Sequence, residues 1–432
     1  MTTFTAKGFP ADAVRARARR GPAEVFPPDG EYGTALFGAG AHDAPAPLDL
    51  IDNARLVPPV FMPQRLEKLI ELGREPLYGD VVLDTAIGGL RASMPVYVSA
   101  FGSTQIAAGD VGVAVSRQAG RLGIPLVIGE NVVPMNGYGR LTSETEGSLL
   151  ARIRAYTESV PDGLGGVVVQ QSTEDADAEV WNLTYSDPSA QPLLDTGRLA
   201  FELKVGQGAK PGLGGMTVVD AESAGRIADQ YAVDPIFGAD AGVVLRSSSP
   251  GTFTEEILRQ QIRLMRNNFP RVKVWVKLHP GRDVREAALV AWESGADAVT
   301  VDGAEAGSGW IPRGFADHVG LPLGECLCRI GRQPRCLLVS GRMWEGTRAV
   351  KCLALGATAV GLGRAALLAA QEDPENGLVR LVRCLELEMR LLISSLGRYA
   401  AHALDGDDVL LPDGRRPAEP APTLSMATQD TT

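Results

Sequence analysis

Lysine is scarce in this sequence: of 42 basic residues only seven are Lys, namely Lys7, Lys68, Lys204, Lys210, Lys273, Lys277 and Lys351. A chain that uses Arg nearly everywhere else, yet sets two lysines six residues apart at 204 and 210, suggests a need for a compact ammonium and not merely for positive charge. Cysteine is also sparse. Five thiols without regular spacing exclude a disulfide framework, and with no signal-like apolar stretch at the N-terminus they lead us to expect a reducing cytoplasm. The Cys326-x-Cys328 pair is expected to be buried apolar thiols, with no metal site. No apolar run approaches the length of about 18 residues needed to cross a membrane. An excess of positive charge is missing as well: the net charge of −10 argues against nucleic acid as a general partner, while a local basic pocket for a small acidic molecule remains open.

What is present is a regular alternation. Eight short apolar, β-branched runs fall at residues 96–100, 126–129, 167–170, 201–205, 272–278, 298–302, 337–340 and 358–362. Several are continuously apolar, as strands of a parallel sheet covered on both faces should be. Helix-length segments at 107–122, 255–267, 284–294, 346–355 and 378–396 lie between or after them. Eight βα units over about 300 residues predict an α/β fold, a TIM (β/α)8 barrel. Residues 1–90 are expected to form an N-terminal extension packing on the barrel, 91–411 the barrel, and 412–432 a disordered Pro-, Ala- and Thr-rich tail. Residues 206–246 form a long insertion after strand 4, well beyond an ordinary βα loop. The cluster Arg15, Arg17, Arg19 and Arg20 is expected to be a solvated helical face that could serve a homo-oligomer contact.

In such a barrel, chemistry collects at the carboxyl ends of the strands. Just past the runs stand Ser99 and Gly102, Glu130, Gln170, Lys204 to Lys210, Lys277 and His279, Asp302 to Gly309, Ser340 to Arg342, and Gly361 to Arg364. Gly307-Ser308-Gly309, Gly341-Arg342 and Gly363-Arg364 offer unobstructed backbone N–H groups, two guanidiniums and a helix start, a set suited to a phosphate. Lys277 ends the apolar run VWVKLHP, and an ammonium there calls for an anionic partner.

The stretch Lys204-Val-Gly-Gln207-Gly-Ala-Lys210-Pro-Gly-Leu-Gly-Gly215 resembles the KxxQGAKPGxGG signature of the FMN-binding synthase domain of glutamate synthases. PVYVSAFG at 95–102, DAVTVDGAEAGSGWIP at 297–312 and the two strands within 336–367 resemble further segments of that domain, in the same order, over roughly residues 55–410. The resemblance implies FMN as cofactor. Its phosphate would lie on Gly307, Ser308, Gly309, Gly341, Arg342, Gly363 and Arg364. Its ring would lie against Ser99, Ala100, Gly102, Gln170 and Lys277, with Asp302, Gly303 and Ser340 completing the site. Lys204 and Glu130 would handle the substrate chemically, with His279 as a further acid or base that the family does not supply; Gln207, Lys210 and Glu305 would contact the substrate, a small amino or 2-oxo acid.

The sequence departs from the family in three ways. The resemblance covers neither the amidotransferase domain nor the β-helix of glutamate synthases, so ammonia would be expected free or from another protein. The iron–sulfur cysteine segment expected after the last strand is missing, because Gly363 leads almost directly into the final helices; no iron–sulfur cluster is expected. Ala304-Glu305 replaces the family's His-Asp, pointing to a rebuilt substrate pocket. The expected activity is hydride transfer between flavin N5 and an amino or imino acid, with O2, a nicotinamide or the substrate completing the cycle. Alternatives are an FMN-dependent 2-hydroxy-acid oxidase, which should carry a His base and an Arg clamp; a non-redox FMN isomerase; and a non-catalytic barrel subunit.

Overall fold

The computed structural model describes residues 8–25, 49–101, 110–129, 149–173, 178–206, 208, 217–229, 231–236, 242–247, 253–306, 313–415 and 417–418. Eight parallel strands close into a barrel: β1 (Val96–Val98), β2 (Leu126–Ile128), β3 (Val167–Ser172), β4 (Leu199–Lys204), β5 (Lys273–Leu278), β6 (Ala298–Asp302), β7 (Leu337–Ser340) and β8 (Ala359–Leu362). They pair in chain order and β8 returns to β1 through Val360↔Val96 and Gly361↔Tyr97. The expected (β/α)8 barrel is therefore the fold.

The apolar runs are continuous because both faces of each strand are buried. Outward residues such as Val274, Val276 and Val299 join the main core under the helices. Inward residues from Tyr97, Val127, Val168, Ala200, Trp275, Ala298, Leu338 and Ala359 fill the lower barrel. A hairpin of Thr85–Ile87 and Leu90–Ala92 plugs that end with Ile87 and Leu90. Its turn requires Gly88: a Cβ there would stand 2.3 Å from Trp275 Nε1, which donates to the Gly88 carbonyl at 3.0 Å. The lower barrel is thus dry and packed, leaving the other end for chemistry.

Helices that matter below are α1 (Ala11–Arg20), α2 (Leu50–Asn53), α3 (Leu323–Ile330), α4 (Gly346–Ala354), α5 (Arg364–Glu372) and α6 (Gly377–Ser395). The Arg face of α1 is solvated, as expected, only at Arg19 and Arg20. Arg17 is buried, bonds Glu388 of α6 at 2.9 Å and lies 5.0 Å from the Trp344 ring, while Arg19 reaches Glu372 of α5 at 2.7 Å. Acids more than 350 positions away in sequence turn the basic stripe into a docking face on the chain's own barrel. The insertion after β4 carries a three-stranded antiparallel sheet of Thr217–Asp220, Val243–Ser247 and Ala232–Asp234. Of the expected tail, residues 412–415 and 417–418 are described; Arg415 pairs with Glu325 at 2.9 Å and the Ala418 N–H donates to the Cys328 carbonyl.

Candidate active site

Strand alternation decides which side chains enter the barrel. On β4 Ala200, Glu202 and Lys204 share the inward face; on β5 Trp275 and Lys277 do; on β6 Ala298, Thr300 and Asp302 do. Above the apolar floor this creates a polar layer. Lys277 Nζ lies 3.0 Å from Asp302 Oδ2, and both side chains are at most 6% exposed. The Ser340 hydroxyl donates to the other Asp302 oxygen. Beside them the Glu202 carboxylate, 1% exposed, accepts from Thr300 Oγ1 at 2.7 Å and from the Gln170 amide. Burial pushes the Glu202 carboxyl above its ordinary range, while Lys277 and the two hydrogen bonds pull the other way.

On β8 Gly361 adds no side chain to this layer, and Ser99 and Tyr97 of β1 take up the room. A Cβ on Gly361 would stand 2.1 Å from Ser99 Oγ and 2.6 Å from Tyr97 Cζ, so only glycine fits between β1 and β8. Tyr97 Oη and Ser99 Oγ are buried without a hydrogen-bond partner among the described residues, although Ser99 is near enough to moderate the Tyr97 hydroxyl, whose pKa burial raises well above the ordinary value. Arg342 Nε and His279 Nδ1 are likewise buried and unsatisfied. The His279 ring is wedged between Gly206 and Gly281, and burial lowers its pKa, favouring the neutral imidazole. Buried polar groups are normally paired, so the Tyr97 and Ser99 hydroxyls, which meet at Gly361, suit a polar guest.

At the rim a second network surrounds Arg348 of α4. Its Nη1 bonds Asp49 at 2.9 Å and Asp52 at 2.7 Å, its Nη2 bonds Asp49 at 2.9 Å and Glu305 at 2.6 Å, and its Nε bonds the Gly341 carbonyl at 3.0 Å. Arg342 also pairs with Asp52 and stands at φ 53°, the one non-glycine residue with positive φ among those described. That conformation costs roughly 1–2 kcal/mol, which the ion pair helps to offset. Arg364 donates to the Glu305 carbonyl at 2.6 Å and covers the Phe9 ring at 4.6 Å. Burial beside Asp49 raises the Glu305 carboxyl to about 7 despite Arg348. Asp49, which burial alone would raise, is held low by Arg348.

The structure therefore brings Ser99, Ala100, Gln170, Lys204, Lys277, Asp302 and Ser340 to one mouth of the barrel, with Gly303, Gly341, Arg342, Gly363 and Arg364 on the adjoining rim. Glu305 is gathered into the Arg348 network, and His279 stands at the loop after β5 beside a cavity of about 350 Å³ lined also by Gly208, Pro280, Arg282, Val319, Leu321 and Arg329. Gly102, Glu130, Gln207, Lys210, Gly307, Ser308 and Gly309 lie outside the described residues. Sequence reasoning overlooked Glu202, Thr300, Asp49, Asp52 and Arg348. Glu202 carried a signal: two residues before Lys204, it shares that residue's face of a strand.

Comparison with known proteins agrees with this geometry. The sequence profile described as the conserved region in glutamate synthase matches residues 135–371, more than half the chain. An archaeal-type glutamate synthase [NADPH] of Dehalococcoides mccartyi is 29% identical over 252 residues, covering 50% of this chain and 49% of that protein. A glutamate synthase large subunit-like protein of Rhizobium meliloti is 34% identical over 187 residues, covering 40% of each. The chain spans about half or less of the length of the curated relatives it matches. Among solved structures, an active chimera of (S)-mandelate dehydrogenase superposes with a TM-score of 0.53 at 18% identity, over 93% of this chain and 99% of that one. Flavocytochrome b2 with sulfite bound gives 0.52 at 16% identity, over 83% and 76%. At these identities the likeness is one of fold. The sequence match, which takes in β3 to β8, places the chain in the glutamate synthase family.

Proposed function

We propose that this chain binds FMN at the carboxyl end of its barrel and acts as an oxidoreductase, exchanging hydride between the flavin and the carbon of a small amino or imino acid derived from a 2-oxo acid. The observation that carries the reading is the buried Lys277–Asp302–Ser340 cluster beside Gly361, which adds no side chain to the barrel wall, with unsatisfied Tyr97 and Ser99 hydroxyls next to it. A polar-edged flat ring suits that wall, and the unsatisfied Arg342 Nε suits a phosphate oxygen. Ser99, Ala100, Gln170 and Lys277 would hold the ring, with Gly102 beside them, and Asp302 and Ser340 would fix Lys277. Gly303, Gly341, Arg342, Gly363 and Arg364, with Gly307, Ser308 and Gly309, would hold the phosphate.

FMN supplies the redox centre when bound. The chain's own residues supply charge, orientation and protons. Lys277 offsets negative charge at the polar edge of the ring. Lys204, half-buried at the mouth, grips a substrate carboxylate together with Lys210 and Gln207. His279, kept neutral by burial, can accept a proton from a substrate ammonium, and Glu130 would donate or accept one. Glu305 fixes the loop after β6 through Arg348 and so shapes the substrate side. O2, a nicotinamide or the substrate closes the cycle without an iron–sulfur cluster. The test is Lys204→Ala in FMN-loaded protein, screened anaerobically against amino acids for bleaching of the flavin. We expect an unchanged flavin spectrum and loss of bleaching; bleaching at the wild-type rate would sink the substrate assignment.

A further inference from the structure

We propose that Glu202 sets the redox potential of this site, acting through the buried charge it adds beneath the cofactor; the inference rests on the FMN reading above. Glu202 is the most deeply buried acid of the barrel interior, and its hydrogen bonds run to Gln170 and Thr300, away from the rim arginines. In register it pairs with Gln170 on one side and Trp275 on the other, so it sits one inward position below Lys277 of the next strand. Among the described residues, the fully buried charges facing inward in this layer are Glu202, Asp302 and Lys277. Asp302 holds Lys277 at 3.0 Å. Lys277 thus lies near two carboxylates, and Glu202 adds a negative charge to the layer when it is ionised.

The bonds to Glu202 leave it free to keep or lose that charge. The Thr300 hydroxyl can donate to a carboxylate or accept from a carboxylic acid, and the Gln170 amide can present either end. Two-electron reduction of FMN with uptake of one proton adds one negative charge to the ring. A fixed charge in a water-excluded site opposes that addition far more strongly than it would in water. An ionised Glu202 consequently favours the oxidised cofactor, and its neutral isostere favours the reduced one.

The experiment is a spectroelectrochemical titration of FMN-loaded wild type, Glu202→Gln and Thr300→Val. Glu202→Gln should bind FMN and titrate at a more positive midpoint. Thr300→Val, which removes one bond to the carboxylate and no charge, should also move the midpoint, positively if the carboxyl takes up a proton and negatively if it stays ionised and less compensated. If Glu202→Gln does not fold, Thr300→Val decides: a shifted midpoint supports the proposal and an unmoved midpoint overturns it. Loaded Glu202→Gln protein titrating with wild type would overturn this proposal alone. A wild type that takes up no FMN would overturn it together with the functional reading.

Discussion

Replacing Arg348 with methionine tests whether the rim is held by buried charge. The guanidinium makes five hydrogen bonds, to Asp49 twice, Asp52, Glu305 and the Gly341 carbonyl, at 2.6–3.0 Å, and is 2% exposed. Methionine keeps much of the stem and removes every bond. Asp52 retains Arg342, and Asp49 retains the N–H groups of Asp52 at 3.0 Å and Gly324 at 3.3 Å. Glu305 can take up a proton. The loss should therefore fall toward the lower part of the ~3–5 kcal/mol seen when one partner of a buried ion pair is removed. With an unfolding entropy of about 2.1 cal/mol/K per residue, the melting temperature of a chain this long should drop by roughly 3–4 °C. Thermal melts at neutral pH measure it, and the double variant Arg348→Met/Glu305→Gln isolates the coupling: Glu305→Gln should cost clearly less in the R348M background than in wild type. An unchanged melting temperature for R348M, or equal costs in both backgrounds, would refute the reasoning.

Three further outcomes are expected. The folded-state pKa of Glu305 is raised from 4.5 to about 7, so its contribution is fully present below about pH 4.5 and is lost as pH rises through about 7; Glu305→Gln should flatten the fall in melting temperature across that window, and an identical pH profile would contradict it. Gly361→Ala forces a Cβ to within 2.1 Å of Ser99 Oγ and 2.6 Å of Tyr97 Cζ, which should cost about 1–3 kcal/mol or more in a urea melt and weaken FMN binding; wild-type affinity and stability would show that the β1–β8 wall is not the ring's seat. Lys277→Met takes the ammonium from buried Asp302 and leaves it the Ser340 hydroxyl, so flavin affinity should fall by at least about tenfold, the equivalent of ~1.4 kcal/mol, in a fluorescence titration, and unaltered affinity would remove Lys277 from the site.

The barrel was legible because continuous burial writes itself locally: strands such as VWVKL and AVTVD are buried on both faces, and each expected run overlaps a barrel strand. Much of the mouth was legible for the same reason, since polar residues ending an apolar run stand out. The Arg348 network was not, because Asp49 and Asp52 lie 299 and 296 positions from their partner and nothing local distinguishes them from surface acids. The face of α1 was misread in part on the same ground: Arg17 looks solvated until Glu388 of a distant helix is brought beneath it. Glu202 was missed for a different reason, its apolar neighbours directing attention to Lys204 when a period of two puts both on one face.

The central claim is that the polar mouth between the Lys277 cluster and Gly361 holds FMN. The most direct measurement is the visible absorption spectrum of the purified protein, before and after incubation with added FMN, with the cofactor released on denaturation identified. The account predicts flavin bands at close to one FMN per chain, without the broad absorbance of an iron–sulfur cluster. A colourless protein that takes up no added FMN would contradict it.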